Sequence, residues 1–203
     1  MRDRKALLEI IRRRSFRQGG AFRLASGRTS TIYFNLKPAM LDPEGSRLIG
    51  AALAERSAEL GADYVGGLEL GAVPLVAAAA AMSAVGGRPV RAVFVRKAAK
   101  EHGTQSLIEG LADGETLAGK NVIVVEDVTT TGGSALKAIA ALRAAGANVD
   151  HVVTIVDREE GAMDAFAAGG IRLHALFRKS EFAAEGESKS ATPGQATASS
   201  GGA

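Results

Sequence analysis

Hydrophobic positions along the chain follow two rhythms. Between Arg4 and Arg14, Leu7, Leu8, Ile10 and Ile11 recur among charged residues at helical spacing, which predicts an amphipathic helix over residues 4–14. From residue 64 onward the apolar residues come in short unbroken runs. These runs predict strands at Tyr64–Leu68, Val90–Val95, Asn121–Val125, Val152–Val156 and Ile171–Phe177. The segments Pro74–Val85, Ser134–Ala145 and Gly161–Ala168 lie between them and carry helical patterns. Strands that are apolar on both faces, alternating with helices, indicate an α/β fold with a central parallel sheet flanked by helices. Such sheets place ligands at the carboxyl ends of their strands. Ahead of this core, Thr31–Asn35 reads as a short strand. Asp42-Pro43-Glu44 reads as a helix start, with a capping carboxylate and a first-turn proline, and that helix runs to Leu60 and stops at Gly61.

Two segments break the pattern. Residues 96–110 are polar, rich in Lys and Gly, and without periodicity. Ala183–Ala203 holds only small, polar and charged side chains, so it cannot bury enough apolar surface to order itself and is expected to be disordered. One domain over residues 1–182, with residues 1–40 forming a small N-terminal appendage to the sheet, is the expectation.

Composition narrows the chemistry. The 203 residues include no Cys, which removes disulfides, thiolate metal sites and a cysteine nucleophile, and fits a reducing, cytoplasmic setting. The charged N-terminus is not followed by an unbroken apolar stretch, so no signal peptide is expected. The apolar run Ala72–Val85 is too short for a bilayer, and no membrane partner is expected. A net charge of +3 without a dense basic stripe gives no reason to expect nucleic acid.

The stretch Val122-Ile123-Val124-Val125-Glu126-Asp127-Val128-Thr129-Thr130-Thr131-Gly132-Gly133-Ser134 is the most informative. A buried strand ends in two carboxylates, passes through three threonines and two glycines, and opens a helix. Loop and helix N–H groups favour an anion, hydroxyls add donors, and glycine lets the backbone come close. Two carboxylates would repel a phosphate unless they serve another part of the ligand. A sugar phosphate reconciles them: the loop takes the phosphate while Glu126 and Asp127 accept ribose hydroxyls and favour positive charge developing on the ring. A nucleoside triphosphatase is the rival, but neither a G-x-x-x-x-G-K-[ST] nor a G-x-G-x-x-G pattern occurs.

This segment resembles the phosphoribosyl diphosphate (PRPP) motif of the type I phosphoribosyltransferases, and residues 1–182 resemble the orotate phosphoribosyltransferase branch of that family. Three further features carry the likeness. Arg96-Lys97-Ala98-Ala99-Lys100-Glu101-His102-Gly103 follows a strand with three cations and an imidazole, suited to neutralising a leaving pyrophosphate. It is similar to the branch's catalytic loop, which reaches into the partner subunit's site and so implies a homodimer sharing loop 96–110. Leu24-Ala25-Ser26-Gly27-Arg28-Thr29-Ser30, followed by Ile32-Tyr33-Phe34-Asn35, resembles the hood that covers orotate. A plain hairpin, with Phe34 an ordinary core aromatic, is the alternative there. In Asp157-Arg158-Glu159-Glu160-Gly161, Arg158 at a strand end suits a carboxylate, the alternative being a surface salt-bridge turn.

The resemblance implies transfer of phosphoribosyl from PRPP to orotate, giving orotidine 5′-monophosphate and pyrophosphate, with Mg2+ held mainly through the diphosphate and water. It assigns Lys97, Lys100, His102 and Asp127 to catalysis. PRPP falls to Arg96, Lys97, Lys100, His102 and the run Glu126, Asp127, Val128, Thr129, Thr130, Thr131, Gly132, Gly133 and Ser134. Orotate falls to Ser26, Phe34, Thr130 and Arg158. The sequence departs from relatives at Glu126, where many carry Asp, at Ala25, where several carry Lys, and around Glu69-Leu70-Gly71-Ala72, where some carry a Lys. The remaining readings are a transferase for a purine or uracil, and a non-catalytic PRPP-sensing regulator. His151 and His174 read as structural.

Overall fold

The computed structural model describes residues 3–23, 29–98 and 106–183. Five parallel strands form the central sheet: β3 (Tyr64–Gly66), β4 (Arg91–Ala92), β7 (Asn121–Thr129), β8 (Asn148–Asp157) and β9 (Arg172–Arg178), in the spatial order β4-β3-β7-β8-β9. The parallel sheet expected from the unbroken apolar runs is therefore present. Its two faces are buried against separate cores. One packs helices α1 (Arg4–Ser15), α3 (Pro43–Glu59) and α4 (Ala72–Val85) through Leu7, Ile11, Leu53, Leu75, Val125 and Ile155. The other packs α5 (Gly133–Ala144) and α6 (Ala162–Ala167) through Val122, Val124, Ile139, Leu142, Val152 and Phe166.

Topology places a crevice between β3 and β7. These neighbours are followed by helices on opposite faces, α4 on one and α5 on the other. The loops after the two strands therefore part from each other at the carboxyl end of the sheet, where such folds receive ligands.

Helix α3 starts where the sequence predicts. The Asp42 carboxylate accepts N–H bonds from Glu44 at 3.1 Å and Gly45 at 3.0 Å, and it pairs with Arg14 at 2.6 Å. The Gly45 bond is the first cause holding its pKa below the ordinary range, with Arg14 and Arg13 adding to it against the cost of burial.

The N-terminal region differs from the sequence reading. A strand not anticipated there, β1 (Phe16–Arg23), pairs antiparallel with β2 (Thr29–Phe34), so the hood is a hairpin. Short helices α2 (Lys37–Met40) and α7 (Lys179–Ala183) were also unanticipated. The last of these shortens the expected tail by one residue: Ala183 closes α7, and residues 184–203 lie outside the described residues. Phe182 packs against Phe16 and Phe34, with centroids 5.4 and 5.0 Å apart. Arg4 and Arg12 secure the same helix to α1, Arg4 pairing with Glu181 at 2.5 Å and Arg12 donating to the Glu181 carbonyl at 2.7 Å. The predicted strand Val90–Val95 is split in two. Its first part, β4, joins the main sheet, while β5 (Phe94–Val95) pairs antiparallel with β6 (Ile108–Glu109) at the base of the polar loop. No described helix is long and apolar enough to cross a membrane.

Candidate active site

Strand β7 delivers the two carboxylates to the crevice under different conditions. Glu126 is buried, with 7% of its surface exposed, and no hydrogen bond or ion pair joins its carboxyl to another described side chain. Burial, reinforced by the negative charge of Asp127, pushes its pKa up to about 8. Asp127 is half-buried and points toward the loop after β3. A Cβ on Gly71 would lie 3.3 Å from Asp127 Oδ1, so glycine is what lets that loop lie against the acid. The same oxygen accepts the Val128 N–H at 2.8 Å, leaving Oδ2 available.

Beyond the acids the chain makes the anticipated turn. Gly132 adopts φ 84°, a left-handed conformation that glycine tolerates, and a Cβ there would stand 2.8 Å from Cζ of Phe166. Helix α5 then opens with no side-chain cap, and Gly133 and Ser134 are exposed. First-turn N–H groups without a capping side chain, close in sequence to the hydroxyls of Thr130, Thr131 and Ser134, are donors of the kind that can receive an anion. Thr129 departs from its expected role. It is 1% exposed, and its hydroxyl is buried without a hydrogen-bond partner, so only its main chain can face a phosphate.

Arg158 sits at the end of β8, next to this turn, its N–H donating to the Thr129 carbonyl at 2.9 Å. Its guanidinium is buried, pairs with Glu160 at 2.9 Å, and reaches Ser30 Oγ of the hood at 3.4 Å. The surface salt-bridge turn considered from sequence is thus replaced by a buried cation joining sheet and hood. Phe34 requires a correction. Its ring is 7% exposed and packed between Phe16 and Phe182, so no ring face is left for a flat base and only its main chain could touch one.

The basic loop is described only at its edges. Arg96 lies 3.6 Å from Glu109, and Lys97 is exposed, its backbone N–H donating to Glu69 Oε1 at 2.8 Å. Lys100, His102 and Ser26 lie outside the described residues. Sequence reasoning assigned no role to the side chains of Glu69, Ser30 or Glu160. Glu69 ties the loop after β3 to the start of the basic loop, and a lone acid in a Gly-rich turn carries no local signal of that contact. The Glu69–Leu70 peptide is cis. Among the described residues no group of three or more metal-ligating side chains converges.

Comparison with known proteins agrees with this geometry. The phosphoribosyl transferase domain family matches residues 40–167. The chain is 59% identical over 180 residues to an orotate phosphoribosyltransferase of Bradyrhizobium sp. strain BTAi1, covering 89% of this chain and 97% of that protein. Among solved structures it resembles the orotate phosphoribosyltransferase of Mycobacterium tuberculosis H37Rv. In complex with Fe(III) dicitrate that protein gives a TM-score of 0.77 at 41% identity, covering 89% of this chain and 99% of the other. In complex with PRPP the values are 0.73 and 38%, with 89% and 98% covered. A matching family domain and 59% identity across 97% of a relative show the family: the chain belongs to the orotate phosphoribosyltransferases.

Proposed function

We infer that this chain transfers the phosphoribosyl group of PRPP to orotate, forming orotidine 5′-monophosphate and pyrophosphate in pyrimidine biosynthesis. The observation that carries the reading is the uncapped start of α5 beside the Glu126–Asp127 pair, within a chain similar to orotate phosphoribosyltransferases over most of its length. In the reaction the C1–O bond to pyrophosphate breaks and a bond from orotate N1 to C1 forms, with inversion. The 5′-phosphate occupies the turn from Thr130 to Ser134, supported by the main chain of Val128 and Thr129. Glu126 and Asp127 address the ribose. Arg158 faces the orotate carboxylate, where a planar guanidinium matches a planar acid, and Thr130 lies beside the base.

Arg96, Lys97, Lys100 and His102 take the pyrophosphate, neutralising charge as it leaves. Magnesium fits this arrangement. Held mainly through the diphosphate and water, such an ion needs at most one or two carboxylates, and Asp127 has a carboxylate oxygen to offer. Bound there, the ion would offset the diphosphate's negative charge. The basic loop serves the partner subunit of a homodimer, and the enzyme works in the cytoplasm.

Offering PRPP and magnesium with orotate, uracil, hypoxanthine and adenine separately tests the base. Orotate alone should be consumed, and faster turnover of a purine would reject the assignment. A mixture of Lys100→Ala and Asp127→Asn subunits, reassembled after dissociation, tests the shared loop. Random pairing should restore about a quarter of wild-type activity, because half the dimers would hold one intact site. Inactivity after verified exchange would place the loop over its own subunit's site.

A further inference from the structure

Two histidines meet at the other end of the same strands. His151 on β8 and His174 on the edge strand β9 bring Nδ1 and Nε2 to 3.1 Å, with ring centroids 5.1 Å apart and planes at 57°. Register makes the contact: His174 aligns with Val153 and His151 with Arg172, so the imidazoles are diagonal neighbours on one face. Seven residues of extended chain separate His151 from Arg158, roughly 23 Å at about 3.3 Å per residue. The pair is therefore remote from the transferase site.

We propose that His151 and His174 form a site for one divalent transition-metal ion of the zinc class, gripped by the two imidazoles across the β8–β9 pair. Two nitrogens on a tetrahedral zinc ion, each about 2.0–2.1 Å from it, lie roughly 3.3 Å apart. The observed separation of 3.1 Å needs only small ring rotations to reach that geometry. In the metal-free pair one facing nitrogen carries the proton. Metal binding moves that proton to the other nitrogen of the same ring, so both facing lone pairs become donors with no net proton released.

The surroundings support a neutral ring at His174. Burial first, then the positive fields of His151, Arg56 and Arg172, lower its pKa, against the opposing charge of Glu59. Glu59, at the end of α3, is held by Arg56 at 2.8 Å, so the ion's remaining positions would be filled by water. Imidazole donors favour zinc, nickel and copper over magnesium, so this site and the PRPP end select different ions. An ion here would staple the edge strand β9, which leads into α7, to the interior of the sheet.

The test is thermal unfolding of the full chain without PRPP, at about pH 7.5, with rising zinc chloride. Wild type should gain about 2–5 °C, a linkage effect of an ion bound only by the folded state. Magnesium chloride should give no such gain, and lowering to about pH 5.5 should weaken it, since protons compete with the metal for imidazole nitrogen. His151→Asn and His174→Asn should each remove the gain. The chain's third histidine supplies the control, since His102→Asn should keep it. Cobalt titration followed by its visible absorption gives a second readout that does not depend on the variants' own melting points. No gain in wild type, a gain retained in both strand variants, or one lost in His102→Asn would overturn the proposal.

Discussion

The central sheet carries a pair of titratable groups toward each end of its strands, two acids on β7 at the carboxyl end and two histidines across β8 and β9 toward the amino end, and the two pairs are in opposite conditions. At the carboxyl end, Glu126 and Asp127 are adjacent carboxyl groups with no described cation bonded to either, and burial together with the charge of Asp127 pushes the pKa of Glu126 up to about 8. At the amino end, His151 and His174 satisfy one another at 3.1 Å. The first pair raises the energy of the protein alone and gains when a polyhydroxyl, cation-associated ligand arrives. The second is already partnered. Electrostatic incompleteness, rather than burial of charge as such, distinguishes the catalytic end.

The sharpest way to break this comparison is Asp127→Asn. The amide oxygen can still accept the Val128 N–H, so the fold should melt as wild type does. The kcat/KM for orotate should nonetheless fall about 100- to 1000-fold, roughly 3–4 kcal/mol of transition-state stabilisation. Steady-state kinetics beside a melting curve reads both quantities, and unchanged kinetics would make Asp127 a mere turn residue.

Glu126→Gln sharpens the comparison through pH. The folded pKa of about 8 lies above the ordinary value of 4.5. Below 4.5 both folded and unfolded chains are protonated and burial is unpenalised. As pH rises, the unfolded state ionises first, and wild type loses stability until the folded carboxyl also ionises. The glutamine variant should therefore match wild type near pH 4 and exceed it by a few kcal/mol above about pH 8. Urea unfolding across that range decides it, since a pH-independent difference would mean that Glu126 is already ionised in the fold.

Gly132→Ala has the smallest expected effect. With φ at 84° and the Phe166 ring 2.8 Å from the new Cβ, stability should drop by about 1–3 kcal/mol. The KM for PRPP should rise more than kcat falls, because the turn binds a phosphate that does not react. An unaltered KM would detach the turn from the phosphate.

These expectations rest on a turn whose determinants are contiguous in sequence. An apolar run, two acids, threonines, glycines and a helix follow one another within residues 122–134, and local conformation alone aligns them. The central parallel sheet was legible for the same reason. The hood was not. Gln18, Gly19 and Gly20 interrupt β1, whose stability comes from pairing with β2 and from Phe182 far down the chain. Arg158 could be placed at a strand end beside Glu160 from sequence, yet its burial and its contact with Ser30 required the folded hood. Period-two alternation says only that Phe34 faces one side of a strand, and the packing of Phe182 decided that the side was core. The histidine contact is set by register between β8 and β9, which neither strand encodes alone.

The clasp between α1 and α7 has a consequence in time. Glu181 and Phe182 are nearly the last described residues to be synthesised, and they meet Arg4, Arg12, Phe16 and Phe34 from the beginning of the chain. While the ribosome is still adding the sheet, the hood's aromatic rings lack their closing neighbour. The β7–α5 turn, whose Gly132 lies against Phe166, can be complete before the cover over it is. On this order of assembly, the phosphate cradle forms open to solvent and is roofed last.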